Sequence, residues 1–165
     1  MLARARISIA ASVLAVACVG PPVPEAPRSS ARARSAPAAP PSARTDVART
    51  AVSMIGAPYR YGGSSPRGFD CSGLVQYTYA QAGITGLPRT VSALERHVRP
   101  IPLADLEPGD LLFFRLSGKK TSHVAIYVGD RAFVHAPSGG KRVEKVPFDH
   151  VYWGPRLGRA GRLEF

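Results

Sequence analysis

Hydrophobic and polar positions divide the 165-residue chain into three parts. An uncharged apolar run, 7–17, lies behind Arg4 and Arg6. The stretch 19–44 is almost wholly Pro, Ala, Ser and Arg, without an aromatic residue. Apolar and polar positions interleave throughout 45–165, as they do in a folded domain. This length suits one domain with a single core.

Two helices are predicted in the first half of 45–165. The first covers Asp46–Ile55, with Thr45 or Asp46 as its cap, and Gly56 ends it. The second begins at Cys71 and is closed by Gly83. Its apolar and aromatic positions fit neither period cleanly, but the length of the segment favours a buried helix.

The second half of the domain is rich in short apolar and aromatic runs separated by Gly, Asp and Pro, which is typical of strands. Strands are predicted at 110–116, 123–128, 132–136, 142–146 and 151–157. Helices followed by an antiparallel sheet make an α+β domain.

The N-terminal residues 1–17 have the features of a secretory signal peptide. The apolar run is too short to cross a bilayer core. Cys18 directly follows Ala17 and resembles the cysteine of a bacterial lipobox, so we expect cleavage before Cys18 and lipidation of its thiol. Plain secretion is the alternative, because Ala15 and Ala17 also satisfy an A-x-A cleavage rule.

Residues 18–44 are expected to form a disordered linker, because their composition buries too little apolar area to offset the cost of ordering. Val19 is not the aspartate that typically retains lipoproteins at the inner membrane. We therefore expect an exported protein of the cell envelope or periplasm, anchored by its lipid, with the outer membrane favoured.

The net charge of +11 has two possible explanations. The chain comes from an Arg-rich proteome, or its charge serves to attract an anionic polymer such as the cell wall. Nucleic acid is the usual partner of so basic a chain, but export argues against it. We expect no nucleic-acid partner and a monomeric protein.

Cys71 is left alone if Cys18 is lipidated, because the chain has two cysteines. An odd cysteine in an exported protein is either intermolecular or reactive. A Cys18–Cys71 disulfide and an inert apolar cysteine are the alternatives. The N–H groups and dipole at the start of a helix lower a thiol pKa and can hold an oxyanion. Cys71 is therefore a candidate nucleophile.

His123 and His135 lie on consecutive predicted strands joined by a turn at Gly129-Asp130. A turn centred on Gly129 pairs positions whose numbers sum to 258, which sets the two histidines directly opposite on one face. A register shifted by one residue would separate them. Together with Cys71 they would form a nucleophile, a base and a group that orients the base. Metal binding is the rival use, but no carboxylate or second thiol stands at ligand spacing.

Seven segments of the domain carry further motifs: Gly56-Ala57-Pro58-Tyr59-Arg60-Tyr61-Gly62-Gly63, Phe69-Asp70-Cys71-Ser72-Gly73-Leu74-Val75, Leu87-Pro88-Arg89-Thr90, Pro108-Gly109-Asp110-Leu111-Leu112-Phe113-Phe114, His123-Val124-Ala125-Ile126-Tyr127-Val128-Gly129, Phe133-Val134-His135-Ala136 and Tyr152-Trp153. In this order, over 46–160, they resemble the NlpC/p60 family of papain-like cell-wall cysteine peptidases.

The resemblance implies a role for each matching residue. Cys71 is then the nucleophile, His123 the general base and His135 the residue that orients it. The hydroxyl of Tyr59 would assist the backbone N–H of Cys71 at the oxyanion. The matching residues that line the substrate cleft, and in some relatives grip a free amine of the stem peptide, are Asp70 and Ser72. Leu94 stands at a position where relatives often carry Gln. This difference affects the expected detail at the periphery of the cleft rather than the expected activity.

The reaction that the resemblance implies is hydrolysis of the γ-D-glutamyl–diamino acid bond of peptidoglycan stem peptides through a cysteine thioester. Such a D,L-endopeptidase needs no metal and no cofactor. An amidase or acyltransferase on the same site is one alternative, since papain-like cysteine sites serve several acyl transfers. A non-catalytic wall-binding regulator is the other.

Overall fold

The computed structural model describes residues 42–165. The predicted signal peptide, the lipidation site at Cys18 and most of the predicted linker lie outside the described residues. The described part forms the following elements: α1 (Ala43–Ser53), β1 (Ser64–Ser65), β2 (Gly68–Phe69), α2 (Cys71–Gln81), α3 (Val91–His97), β3 (Arg99–Ile101), β4 (Leu111–Phe114), β5 (His123–Gly129), β6 (Ala132–His135), β7 (Glu144–Pro147) and β8 (Leu157–Arg162).

The first helix begins earlier than predicted. The Ser42 side chain accepts a hydrogen bond from the Thr45 N–H and caps α1, so that Ala43 and Arg44 are helical rather than part of the linker. Val47 and Ala51 are buried against the sheet. Within residues 42–165 no helix is long and apolar enough to cross a membrane.

The second helix begins at Cys71, as predicted. The Asp70 side chain accepts a hydrogen bond from the Gly73 N–H at 2.8 Å, which satisfies a backbone donor of the first turn. Gly73 allows the helix to touch the preceding loop, because a Cβ there would lie 1.9 Å from the Gly63 carbonyl oxygen. The cap and this contact fix the position of Cys71 relative to the loop.

The main sheet has six antiparallel strands in the order β3-β8-β4-β5-β6-β7. One face packs against α1 and α2 and includes Phe113, Val124 and Ile126. The other face carries a second apolar cluster that includes Phe114, Phe133 and Trp153. The predicted α+β class is confirmed, with strand pairings that are antiparallel throughout this sheet.

The last predicted strand, 151–157, is wrong. Val151 is 86% exposed, and the chain turns there before a single 3-10 turn at Gly154–Arg156. Pro155 cannot donate a ladder hydrogen bond, so the final strand begins only at Leu157. Sequence reasoning also missed α3 and β3, because these elements are too short to show a hydrophobic periodicity.

Candidate active site

The hairpin of β5 and β6 brings His123 and His135 together in a register that differs from the predicted one. Ile126 pairs with Val134 and Tyr127 with Phe133, so paired numbers sum to 260 rather than 258. His123 and His135 are therefore diagonal neighbours, not directly opposed residues. Because the shift is even, both remain on one face of the sheet.

The turn explains this shift. Asp130 and Arg131 have φ values of 50° and 52°, as the two central residues of a type I′ turn require. The turn is thus centred between Asp130 and Arg131, one and a half residues later than Gly129, and it pairs Gly129 with Ala132, whose numbers sum to 261. A bulge between Tyr127 and Gly129 then lowers the sum to 260. The later turn and the bulge together therefore move the pair sum by two.

The two histidines form a buried hydrogen-bonded pair. His123 Nε2 lies 2.9 Å from His135 Nδ1, and both residues are buried. The indole of Trp153 packs against both rings, with centroid distances of 5.0 Å to His123 and 4.4 Å to His135. The indole thus covers the pair on the second face of the sheet.

Burial keeps both imidazoles neutral near neutral pH. It lowers the pKa of His123 from 6.5 to about 4. Burial also lowers the pKa of His135, and the nearby cationic forms of His123, Lys141 and His150 add to that effect. A neutral His123 is able to accept a proton.

We expect acid to destabilise the domain through these histidines. Because the pKa of His123 is lowered in the folded protein, the unfolded chain takes up a proton below pH 6.5 while the folded chain does not. The free energy of unfolding therefore decreases as the pH is lowered. Between pH 7.5 and 4.5 this costs about 2–3 kcal/mol. Urea unfolding at both pH values should show that His123→Gln loses less unfolding free energy on acidification than the wild type does. The exposed His97 is the control, and an equal loss in His97→Gln and His123→Gln would contradict the attribution.

Cys71 occupies the first position of α2, and its thiol lies beside the backbone N–H of Val124, the residue after His123. Within residues 42–165 no hydrogen bond joins the thiol to His123. Such bonds are often loose without substrate and tighten in the complex. The helix thus places Cys71 beside the strand that begins with His123.

The predicted lowering of the thiol pKa is wrong for this structure. Burial raises the pKa of Cys71, and the nearby Asp70 carboxylate raises it further; together they outweigh the N–H groups of Val124, Ser72 and Cys71 itself, which favour the thiolate. Burial therefore disfavours an isolated charge on either Cys71 or His123. A thiolate paired with an imidazolium, in contrast, would carry no net charge as a pair.

Asp70, Ser72 and Arg89 form a polar cluster next to the thiol. Arg89 donates from Nη1 to Asp70 Oδ1 at 2.9 Å and from Nη2 to Asp70 Oδ2 at 2.6 Å, and Nη1 also donates to Ser72 Oγ at 2.7 Å. Burial raises the pKa of the Asp70 carboxyl. The hydrogen bonds from Arg89 and from the N–H groups of Gly73 and Gly62 outweigh burial and hold that pKa below its ordinary value.

This cluster changes what Asp70 is able to do. Its two carboxylate oxygens already accept hydrogen bonds from Gly62, Gly73, Ser72 and Arg89. An additional amine would have to displace one of these donors. The expected contact of Asp70 and Ser72 with a substrate amine stays a prediction. Arg89 retains N–H groups that these bonds do not use.

Two cavities flank the Cys71–His123 region. The acyl-side cavity, as we call the first, has a volume of about 430 Å³ and is lined by residues that include Tyr59, Asp70, Cys71, Arg89 and Ser122. The leaving-side cavity has a volume of about 410 Å³ and is lined by residues that include His123, Lys141, Glu144, His150 and Trp153. Cys71 lines the first of these cavities and His123 lines the second.

Tyr59 lies on the acyl side, close to the thiol. Burial raises the pKa of its hydroxyl, and the nearby Cys71 and Asp70 raise it further. The hydroxyl therefore stays protonated and able to donate a hydrogen bond. Its predicted role at the oxyanion stays a prediction, as do the catalytic roles of Cys71, His123 and His135.

Sequence reasoning missed three residues of this site. Arg89 was visible within the Leu-Pro-Arg-Thr motif, but only the fold brings it to Asp70. Glu144 is the direct cross-strand partner of His135, and eight residues between β6 and β7 conceal that pairing in the sequence. Trp153 lies within 151–157, which was predicted to be a strand. Among residues 42–165, no three side chains of His, Cys, Asp or Glu cluster in a way that would hold a metal ion.

Comparison with known proteins gives one consistent result. The model of the NlpC/P60 family matches residues 56–162. The chain is 43% identical over 106 residues to the murein DD-endopeptidase MepH of Escherichia coli, covering 62% of this chain and 39% of MepH. It is 39% identical over 121 residues to the bifunctional muramidase/DL-endopeptidase CwlT of Bacillus subtilis, covering 72% of this chain and 36% of CwlT.

A solved structure agrees with these sequence relatives. The crystal structure of the NlpC/p60 domain of the peptidoglycan hydrolase SagA superposes with a TM-score of 0.64 at 31% identity, covering 73% of this chain and 98% of that domain. The match therefore extends over a whole solved domain but over well under half the length of MepH and CwlT.

Proposed function

The chain belongs to the NlpC/P60 family, and from that membership we propose that it hydrolyses peptide bonds in the stem peptides of peptidoglycan. The observation that carries this proposal is the placement of Cys71 at a helix start, beside the strand whose first residue, His123, is hydrogen-bonded to His135. Relatives that are named endopeptidases support it.

The proposed reaction uses a thioester. Nδ1 of His123 takes the proton of the Cys71 thiol, and the sulfur attacks the carbonyl carbon of the scissile peptide bond. The backbone N–H of Cys71 and the hydroxyl of Tyr59 hold the resulting oxyanion. The C–N bond then breaks, and the leaving amine takes the proton from His123. Water, deprotonated by His123, attacks the thioester and releases the acid, and the proton returns to the sulfur.

The bond that we propose is the one between the γ-carboxyl of D-glutamate and the diamino acid. The D-glutamate of such a stem has a free α-carboxylate close to the scissile carbonyl. Arg89 lines the acyl-side cavity, and the N–H groups that its bonds to Asp70 and Ser72 leave unused suit such an anion. In a D,D cleavage the acyl residue is D-alanine, which offers no carboxylate to Arg89. The diamino acid would occupy the leaving-side cavity.

Digestion of purified muropeptides followed by mass spectrometry tests this proposal. We expect fragments that end in D-glutamate together with fragments that begin with the diamino acid. Separation of crosslinked dimers into intact monomers would instead indicate D,D cleavage, as the name of MepH describes for that protein. Release of whole peptides from the sugar would indicate an amidase. Binding without new fragments would indicate a wall-binding module.

We expect Arg89→Met to weaken binding of substrates that carry the free α-carboxylate. Loss of a charge-assisted contact present in both ground and transition states should raise KM about 10- to 100-fold, with kcat little changed. Steady-state hydrolysis of stem tripeptides measures both constants. Arg96→Met, an exposed change on α3, is the control.

A second substrate separates binding from a merely structural effect. Wild type should prefer the free carboxylate of D-glutamate over its amide, and Arg89→Met should lose that preference. If the variant weakened both substrates equally, Arg89 would act only by holding Asp70 in place.

We also propose that the chain is exported and lipidated at Cys18, on the strength of the Ala17-Cys18 junction alone. Palmitate labelling in the producing cell should mark the wild-type protein and not Cys18→Ser. Equal labelling of the two proteins would refute the anchor.

A further inference from the structure

We propose that Glu144 is a positioning residue that sets the tautomers of both histidines, so that His123 presents an unprotonated nitrogen to Cys71. This inference rests on the proposed peptidase function, but it concerns a residue that the Cys71–His123–His135 arrangement does not include. Glu144 opens β7 and is the direct cross-strand partner of His135. Its Oε1 lies 3.2 Å from His135 Nε2.

The contact between Glu144 and His135 is a hydrogen bond from a neutral ring. His135 is fully buried, and the cationic forms of His123, Lys141 and His150 oppose its protonation. Glu144 lines the leaving-side cavity, and its side chain is 44% exposed. An ionised carboxylate only accepts hydrogen bonds, so His135 must carry its proton on Nε2.

The position of the proton on His135 also determines the position of the proton on His123. With its proton on Nε2, His135 offers a lone pair at Nδ1, which lies 2.9 Å from His123 Nε2. His123 must therefore carry its proton on Nε2 and donate it to His135. Its Nδ1 is then left unprotonated. His123 Nδ1 is the ring nitrogen that is not hydrogen-bonded to His135, and it is the nitrogen that must take the thiol proton.

Without the carboxylate, the opposite arrangement is equally well bonded. His135 could carry its proton on Nδ1 and donate to His123 Nε2. His123 would then be protonated on Nδ1 and unable to act as a base. A carboxylate that fixes the tautomer of a catalytic histidine is a known device, and loss of that selection costs up to about 10,000-fold. Glu144 acts on His123 only through the ring of His135, so we expect a smaller loss of kcat.

Glu144→Gln is the sharpest variant, because the amide has the same shape and is able to accept or donate at the same place. We expect kcat for stem-tripeptide hydrolysis to fall about 10- to 100-fold with KM within about twofold. Glu144→Asp retains the carboxylate and should recover part of the loss. The matched control is Glu164→Gln, because Glu164 is an exposed residue paired with Arg99. Unchanged kcat in Glu144→Gln would overturn the proposal.

Nitrogen-15 NMR of the histidine rings provides a readout that activity alone does not. In the wild type at pH 7.5, we expect Nε2 of both His123 and His135 to be protonated and both Nδ1 atoms to be bare. Glu144→Gln should show the second tautomer, whereas Glu164→Gln should not. A proton on His135 Nδ1 in the wild type would overturn the proposal even if Glu144→Gln failed to fold.

The NMR measurement also separates the two proposals. It needs no substrate, so it decides the role of Glu144 even if the protein cleaves no stem peptide. A wild type with the expected tautomers but no hydrolysis would refute the proposed function and leave the tautomer assignment standing.

Discussion

Cys71→Ala is expected to lower hydrolysis of stem peptides at least about 1,000-fold, because the alanine methyl group cannot form a thioester. The remaining rate would come from binding and oxyanion contacts alone, which accelerate the reaction only weakly without a nucleophile. Product formation from purified muropeptides, followed by mass spectrometry, measures the loss.

The variant should otherwise resemble the wild type. Cys71 is the first residue of α2, and the cap that starts this helix is the Asp70 side chain, which the substitution leaves in place. Circular dichroism and peptide binding should therefore change little. Full activity in folded Cys71→Ala would show that the nucleophile has been assigned to the wrong residue.

His123→Gln is expected to lower kcat/KM about 100- to 10,000-fold, the range for loss of a general base. Without His123 the thiol must ionise on its own. Since burial raises the pKa of Cys71, little thiolate would exist at neutral pH. The remaining rate should therefore increase with pH in the variant, and a pH–rate profile measures this dependence.

His97→Gln is the matched control, because His97 is exposed at the end of α3 and lies outside both cavities. Its activity should equal that of the wild type. If His123→Gln kept the wild-type rate and pH profile while folded, His123 would not be the base.

Local signals in the sequence predicted the position of Cys71 well. The length of the segment and Gly83 after it indicated a helix from Cys71, and α2 begins at that residue. Close packing of Gly73 against Gly63 could not be predicted, because it depends on the path of the loop.

The histidine pair shows where a partly wrong prediction still gave a useful result. The predicted turn was centred one and a half residues early, because the positive φ values of Asp130 and Arg131 are not evident from their residue types. The pairing error was even, so His123 and His135 stayed on one face and meet diagonally. An odd error would have separated them.

Contacts between distant segments were beyond sequence reasoning. Arg89 reaches Asp70 across 19 positions, and Glu144 reaches His135 across a connection whose length hides the register. The raised pKa of Cys71 was missed for a related reason. A helix start is visible in sequence, whereas the amount of protein that buries a thiol is a property of the whole fold.

We expect Cys71 to become acylated by the stem peptide during hydrolysis. Rapid mixing of the wild type with a stem tripeptide, followed by acid quench and intact-protein and peptide mass spectrometry, tests it most directly. We predict a transient adduct of one L-Ala-D-Glu acyl group on Cys71, reversed by hydroxylamine and absent from Cys71→Ala. Hydrolysis without any such adduct, or with the acyl group on another residue, would contradict the account.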